Sequence, residues 1–388
     1  MKCDILIRGG DVIDPSQNLR GVRDIAVRDG MILAVGESLD DVDSRWTIDA
    51  DGLYVVPGLI DLHVHVYRGH SPFGVDPDPL AAAGGVTTML DTGSSGSFNF
   101  EGFKRDVIDS AKVPVFALIN LSCIGLAGFN LGELMDRRYA DSDGVVEMIR
   151  KYPDVAVGVK IRASKQIIGE GKQGWTNFLE AVEAARESET WLMVHIGDSP
   201  MAIPEMLGHL EPGDCITHCF KGGPERILDP NNQLYTAVRE ASDRGVVFDV
   251  GHGFGSFDWD VVEAALEQGF EPTTISTDVH TMNIHGPVYD MPTTMSKFLA
   301  LGVSLERVIE MSTTKPAAVL GMEGDLGTLR VGSKADIAIL EEHEGAFTLT
   351  DSYRQDRVGN KLLTASTTIL NGEILPGGGG LRMRHMAR

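Results

Sequence analysis

Short apolar runs alternate with amphipathic stretches through the middle of the chain. Eight runs rich in Val, Ile and Leu have the length of buried strands, at residues 59–66, 86–90, 114–119, 155–161, 191–195, 215–218, 246–250 and 274–276. Segments with apolar residues at three- and four-residue spacing lie between most of them and predict helices at 177–187, 233–243 and 260–268. Eight strands alternating with helices predict an α/β fold, a (β/α)8 TIM barrel.

An open, doubly wound parallel sheet is the alternative architecture for this alternation. That fold would need a glycine-rich phosphate loop after the first strand. Here the first predicted strand ends in His63-Val64-His65 instead. The barrel therefore remains the predicted fold.

The two ends of the chain have a different pattern from the middle. Short strands with an Asp29-Gly30 turn open the chain, and strands return at 327–340 and 364–375, after helices at 305–320. We predict that residues 1–55 and 325–388 pack together as a small β-sandwich domain beside a barrel of residues 56–324. The glycine-rich and then basic residues 377–388 are expected to be poorly ordered.

Composition and charge limit the kinds of molecule that the protein is expected to bind. The 388 residues are 43% hydrophobic with a formal net charge of −22, which argues against binding nucleic acid or an anionic membrane. We find no apolar run of about 18 residues and no signal-peptide pattern. The four cysteines are scattered, and Cys215 and Cys219 lack the second pair that a four-cysteine zinc site requires. A cytoplasmic protein is expected, and homo-oligomerisation is left open.

The stretch from Pro57 to His65 is the most informative in the chain. Alternation along a strand sends His63 and His65 to the same side, where two neutral imidazoles can chelate a divalent ion. In the predicted barrel both lie at the carboxyl end of the first strand, the end that carries catalytic groups in this fold. A pair of satisfied interior histidines is the structural alternative. The preceding Pro-Gly-Leu-Ile-Asp favours the ligand pair.

Further polar residues stand at the ends of later predicted strands. Lys160 ends one strand, and burial beside positive neighbours would favour its neutral amine, although it could instead pair with a substrate anion or reach solvent. His195 and His218 end two more strands. Asp278 follows the eighth, where its structural alternative is a helix N-cap.

Taken together, the Pro57 to His65 stretch, the β-rich ends and the later histidines resemble the amidohydrolase superfamily over nearly the whole chain. The resemblance implies a metal-dependent hydrolase with two divalent metal ions, zinc by default, in which a shared hydroxide attacks the substrate carbonyl. It implies His63, His65 and Asp278 on the first metal, His195 and His218 on the second, and carboxylated Lys160 as the bridge. Asp278 is also implied as the catalytic group that takes the proton and returns it to the leaving group.

The substrate class follows from a departure within the superfamily. Dihydroorotases carry an arginine just after the His-x-His pair, whereas Val66 and Tyr67 occupy that place here and Arg68 comes later. Residues 251–257 and 291–298 resemble another branch, often labelled amidohydrolase/deacetylase. Its members resemble deacetylases of α-acyl-substituted carboxylates such as acetyl-(R)-mandelate.

Two residues are candidates for binding such a small-molecule carboxylate. Alternation puts Arg162 on the same side as Lys160, where its guanidinium would clamp a carboxylate or form an ion pair at the barrel rim. His252 would donate a hydrogen bond to substrate or be an ordinary loop histidine. The alternative functions are a cyclic-amide hydrolase of the dihydroorotase or hydantoinase type and a non-catalytic barrel scaffold.

Overall fold

The computed structural model describes residues 2–377, which include strands from both ends of the chain and a central sheet surrounded by helices. The strands of this part are β1 (Lys2–Asp14), β2 (Leu19–Arg28), β3 (Met31–Gly36), β4 (Asp43–Asp49), β5 (Tyr54–Pro57), β6 (Leu59–Val64), β7 (Val86–Gly96), β8 (Val115–Asn120), β9 (Ala156–Ala163), β10 (Trp191–Ile196), β11 (Cys215–Thr217), β12 (Val247–Asp249), β13 (Ile337–Thr350), β14 (Asp356–Leu370) and β15 (Glu373–Ile374).

The helices lie mostly between strands of the central sheet. In the described residues the α-helices are α1 (Pro77–Gly84), α2 (Phe100–Phe103), α3 (Ser142–Lys151), α4 (Lys165–Ile168), α5 (Gly171–Glu187), α6 (Ile203–Leu207), α7 (Thr236–Arg244), α8 (Trp259–Glu267), α9 (Met291–Ala300), α10 (Leu305–Ser312) and α11 (Thr314–Val319). A π-helical segment, Lys104–Ile108, continues α2, and 3-10 turns form at Pro15–Gln17, Gly125–Leu131 and Arg137–Tyr139. The predicted helices near 177, 233, 260 and 305 are confirmed, with bounds that differ by a few residues at most ends.

The central sheet has seven strands, β6 to β12, paired in chain order and all parallel. Seven of the eight predicted strands are therefore confirmed. Their buried positions are nearly continuous; in β6 and β7 every residue is buried. Such apolar runs are typical of parallel strands covered on both faces.

The eighth predicted strand is the exception, because residues 274–276 form no regular strand. Residues 274–279 instead make one parallel bridge to each edge of the sheet, Asp249 with Thr274 and Val64 with Val279. Backbone bonds run from Asp278 N to His63 O over 2.7 Å and from His252 N to Ser276 O over 3.2 Å. The parallel sheet is thus curled, and this segment lies between its two edge strands. The hydroxyls of Ser276 and Thr277 donate to the buried carboxylates of Asp249 and Asp61, and Asp278 lies beside the two histidines of the His-x-His pair.

The two ends of the chain share one mixed sheet of eight strands, in the order β15-β14-β13-β5-β1-β2-β3, with β4 paired to β1. The prediction that the ends pack together is confirmed, but they form one hydrogen-bonded sheet, and a sandwich of two sheets is not seen in residues 2–377. Residues 327–336, where the sequence predicts a short strand, form no regular strand, and β13 begins only at Ile337. The domain limits at residues 55 and 325 stay a prediction. The predicted disorder of the tail falls almost entirely outside the described residues.

Helix α9 contacts both the sheet of the chain ends and the loop that follows β12. Every residue from Met291 to Phe298 is buried, and Asp290 caps the helix by accepting a hydrogen bond from Thr293 N over 2.9 Å. Ser296 Oγ accepts from Leu363 N of β14 over 2.8 Å. A helix buried on all sides fixes the two sheets relative to each other. Among the described helices, none has the length and apolarity needed to cross a membrane.

Candidate metal centre and active site

Histidine and aspartate side chains meet where the parallel strands end. His63 lies in β6, His218 directly follows β11, and Asp278 lies in the segment between the sheet edges. One ligand atom from each of these three residues lies within 4.8 Å of the others. Asp278 Oδ1 is also 3.1 Å from His65 Nε2 and 3.5 Å from His63 Nε2. Four of the predicted metal ligands are therefore brought together.

The histidine rings are oriented by hydrogen bonds at their outer nitrogens. His218 Nδ1 lies 2.6 Å from the carbonyl oxygen of Gly251, which accepts only, so Nδ1 carries the proton. The Thr217 hydroxyl donates to Asp249 over 2.8 Å and therefore accepts from His63 Nδ1 at 2.8 Å. In the neutral rings Nε2 of both histidines thus holds a lone pair. This is the arrangement in which imidazole binds a metal.

Two atoms at the centre lack a partner of their own. Within residues 2–377, His218 Nε2 and Asp278 Oδ1 are buried and make no hydrogen bond. Leaving such groups unpaired costs free energy, about 1–3 kcal/mol for each. A divalent cation would satisfy the nitrogen lone pair and the carboxylate at once. The donor set therefore fits a metal ion that prefers imidazole and carboxylate ligands.

Burial keeps the histidines in their ligand form. Desolvation lowers the pKa of His65 and of His218 to about 4, and it lowers the pKa of His63 and His195 well below its usual range. Nearby positive groups, among them Lys160, lower these pKa values further. At neutral pH the imidazoles are uncharged, as metal binding requires.

Lys160 and His195 complete the predicted set from β9 and β10. Lys160 is 1% exposed, its Nζ lies 3.1 Å from Met193 Sδ, and desolvation lowers its pKa to about 8. A share of neutral amine at neutral pH is what carboxylation needs. The His195 ring packs edge-on against His218 at 4.3 Å between centroids. All six predicted ligands thus lie in the same region of the structure, and their binding of metal stays a proposal.

Two of these residues have unusual backbone conformations. His218 has φ +66° and Asp278 has φ +49°, in the left-handed region that side chains other than glycine rarely adopt. Backbone of this kind is retained where the surrounding structure fixes it, often at functional sites. Both candidate ligands therefore adopt a backbone conformation that costs free energy.

Arg162 lies beside the centre but already has a protein partner. Its Nη1 donates to both oxygens of Glu133, at 3.0 and 3.2 Å, and its guanidinium lies over the Phe129 ring at 4.9 Å. The ring of Phe73 contacts Phe129 edge-on at 4.4 Å and lies 5.9 Å from His65. The cation and the two aromatic rings form one wall of the site. Both predicted readings of Arg162, substrate clamp and ion pair, are compatible with this position.

His252 is engaged by the protein at both ring nitrogens. It is completely buried, its Nε2 lies 2.6 Å from Lys297 Nζ, and its Nδ1 lies 3.0 Å from Gly253 O. The Phe257 ring stacks on it at 4.6 Å. Neither nitrogen faces an open substrate position in this arrangement, so the predicted donor role for His252 is not supported by its contacts.

Sequence reasoning missed the residues that hold the histidines. Asp249 is completely buried and accepts hydrogen bonds from the hydroxyls of Thr217, Thr274 and Ser276. Ser94, in β7, has its hydroxyl oxygen 2.9 Å from His65 Nδ1. A usable signal was the carboxylate of Asp249 inside an apolar run, because a buried charge requires partners.

The chain is similar over most of its length to proteins named deacetylase and to a solved deaminase. The chain is 36% identical to a deacetylase from Brucella anthropi over 90% of its own length and 86% of that protein. It is 36% identical to a deacetylase from Enterococcus faecalis, covering 96% and 99% of the two chains. The crystal structure of an adenine deaminase matches with a TM-score of 0.88 at 35% identity, over 96% of this chain and 99% of that one.

Dihydroorotases are also similar. The crystal structure of a dihydroorotase matches with a TM-score of 0.87 at 32% identity, covering 96% and 97% of the chains. The family model described as "Amidohydrolase family" matches residues 254–375. A curled parallel sheet with histidines and an aspartate at its strand ends defines a metal-dependent hydrolase. The chain belongs to the amidohydrolase family.

Proposed function

We propose that the protein is a deacetylase that cleaves the acyl ester or amide of a small α-acyl-substituted carboxylate, with acetyl-(R)-mandelate as the reference substrate. The similarity to proteins named deacetylase supports acetyl as the acyl group that is transferred to water. The single observation that carries the substrate class is the Arg162 guanidinium packed over Phe129 beside the centre. A cation next to aromatic rings suits a carboxylate that bears an aryl group.

The proposed centre uses the six residues named from the sequence, within a (β/α)8 barrel. His63, His65 and Asp278 would hold one divalent ion, His195 and His218 a second, and carboxylated Lys160 would bridge them. Zinc is the proposed metal because imidazole and carboxylate ligands suit it. When bound, the ions would polarise the substrate carbonyl and lower the pKa of water.

The chain's own groups would orient the substrate and move the proton. Asp278 Oδ1 would take a proton from attacking water and return it to the departing alkoxide or amine; its lack of a hydrogen-bond partner among the described residues supports this role. Arg162 would hold the carboxylate, and Phe73 and Phe129 would contact the α-substituent. Buried Glu133, with an exposed fraction of 1%, keeps the guanidinium fixed at one angle.

A cyclic-amide hydrolase is the second candidate, supported by the dihydroorotase likeness. The residues that follow His65 argue against a cyclic-amide hydrolase. Tyr67 is buried, and its hydroxyl donates to Asn99 O over 3.1 Å, whereas the Arg68 side chain is 69% exposed and pairs with Asp76. No guanidinium is available there for the ring carboxylate of dihydroorotate.

The test is a hydrolysis assay with enzyme loaded with zinc in bicarbonate buffer. The panel contains both hands of acetyl-mandelate, N-acetyl amino acids, dihydroorotate, hydantoin and adenine. Turnover of the acetylated acids with kcat/KM at least tenfold above the cyclic amides and adenine is expected. Preferential opening of a cyclic amide, or deamination of adenine, would refute the proposal.

Arg162→Met separates carboxylate binding from structural pairing. We expect KM for acetyl-mandelate to rise by about 10- to 100-fold, since hydrogen bonds to charged groups are worth about 1.5–3 kcal/mol. KM for its neutral methyl ester should change far less. Arg186→Met is the matched control, because Arg186 also pairs with a buried carboxylate, that of Asp214, away from the centre. Equal effects on acid and ester would contradict the role of Arg162.

A further inference from the structure

Lys297 is a buried lysine that the proposed chemistry does not use. It lies in α9 and is completely buried. Its Nζ lies 2.6 Å from His252 Nε2, 3.0 Å from Pro287 O and 2.7 Å from Thr350 O. These three acceptors belong to three separate segments, the last of them strand β13. A lysine this deeply buried is rare unless it is paired.

The contacts of both ring nitrogens determine the state of the His252 ring. The carbonyl oxygen of Gly253 only accepts, so His252 Nδ1 carries the ring proton, and in the neutral ring Nε2 accepts from Lys297 Nζ. Stacking on Phe257 fixes the plane of the ring. The Ser352 hydroxyl adds bonds to the carbonyl oxygens of His252 and Gly253, at 3.2 and 3.1 Å. His252 is therefore held in one orientation.

The backbone on both sides of His252 touches the centre. Gly251 O accepts the proton of His218 Nδ1, and Gly253 N donates to Thr277 O over 3.0 Å. A Cβ built on Gly251 would lie 2.9 Å from His218 Nδ1, and one on Gly253 would lie 2.5 Å from Asp278 Oδ2. A small displacement of residues 251–253 would therefore move His218 and Asp278.

We propose that Lys297 is a positioning residue that, through His252, fixes residues 251–253 and thereby the orientation of His218 and Asp278. The two segments whose sequences resemble the amidohydrolase/deacetylase branch, 251–257 and 291–298, then form a single network of contacts. It extends to β13, so the sheet built from the chain ends supports the centre. The inference rests on the proposed function only in taking His218 and Asp278 as metal ligands.

The test replaces Lys297 by Met and uses Co²⁺ as the probe. We expect the dissociation constant for Co²⁺ to rise by about 10- to 100-fold, the usual effect of losing a group that orients a metal ligand. The visible absorption of bound Co²⁺ should shift, and kcat should fall more than KM rises. Lys361→Met is the control, since exposed Lys361 pairs with Glu342 on the sheet of the chain ends. Native Co²⁺ affinity and spectrum in Lys297→Met would overturn the proposal.

A second variant covers the case in which Lys297→Met does not fold. His252→Phe keeps a ring against Phe257 and removes both nitrogens, so it should show the same Co²⁺ shift and weakened binding. In the double variant, Lys297→Met with His252→Phe, the rise in the Co²⁺ dissociation constant should be smaller than the product of the two single effects, because both changes break the same chain of contacts. Multiplied losses, or native Co²⁺ binding in His252→Phe, would refute the inference. Wild-type protein that binds Co²⁺ but hydrolyses no acetylated acid would refute the proposed substrate alone.

Discussion

At the scale of single residues, the candidate centre depends on which ring nitrogen of each histidine carries the proton. His218 and His63 donate from Nδ1 to Gly251 O and to the Thr217 hydroxyl, and this leaves a lone pair on each Nε2; His63 Nε2 lies 3.5 Å from Asp278 Oδ1. The carboxylate Oδ1 is buried without a donor in the described structure. Such an atom is available both to a cation and to a transferred proton.

Asp278→Asn tests this double role. We expect kcat for acetyl-mandelate to fall by about 10²- to 10⁴-fold, because an amide cannot accept and return a proton. Metal content should stay largely unchanged, because the four histidines remain. The measurements are steady-state kinetics and elemental analysis of the same preparation. Near-normal turnover would remove the proposed proton shuttle.

At the scale of elements, the loop after β12 has a spacing requirement that only glycine meets. Gly253 has φ +58°, and its missing side chain makes room for Asp278 Oδ2. Gly255, two residues later, is exposed and has open space where a Cβ would be. Gly253 has no room for a side chain and Gly255 has room, so the two positions can be compared within one loop.

Gly253→Ala is expected to lower kcat/KM by about 100-fold or more. The left-handed backbone costs about 1–2 kcal/mol for alanine, and the new methyl group would displace the Asp278 carboxylate. Gly255→Ala should keep wild-type kinetics and metal content. Both variants are compared by kcat/KM and by the Co²⁺ spectrum. A Gly253→Ala enzyme indistinguishable from Gly255→Ala would show that the loop does not constrain Asp278.

At the scale of the whole molecule, the centre joins distant parts of the chain. His63 and Asp278 are separated by more than 200 residues in sequence, and they meet, together with His218, at one end of the curled sheet. Buried helix α9 and strands β13 and β14 connect this end to the sheet of the chain ends. A metal ion bound there would stabilise the folded state as a whole, since the unfolded chain offers no assembled site.

Metal removal should therefore lower the thermal unfolding midpoint. We expect a fall of roughly 4–8 °C after dialysis against a chelator, from a ligand held at about 100 to 1,000 times its dissociation constant. Adding Zn²⁺ should restore the midpoint. A variant with both His63 and His65 changed to Ala should show no such response in calorimetry. An unchanged midpoint in chelated wild-type protein would count against a tightly bound metal.

Local pattern alone determined much of the fold and the kinds of ligand. Apolar runs of strand length predicted seven of the central strands, because burial of both faces leaves a continuous apolar signal. Histidines at the ends of these runs, such as His195 and His218, were candidates from the pattern, and the family resemblance gave them the role of metal ligands, which stays a proposal. The eighth strand was overpredicted, because the short segment Thr274-Ile275-Ser276 does not reveal that it makes only isolated bridges to the edges of the sheet.

Only the tertiary structure decided which groups face each other. The contact of His252 with Lys297, the Thr217 and Asp249 support of His63, and the Glu133 partner of Arg162 join residues 29 to 154 positions apart. Sequence periodicity carries information over a few residues, so it indicates the direction of a side chain but not its distant partner. The hydrogen-bond partners that hold each ring or cation are set when the sheet curls and brings the strand ends together.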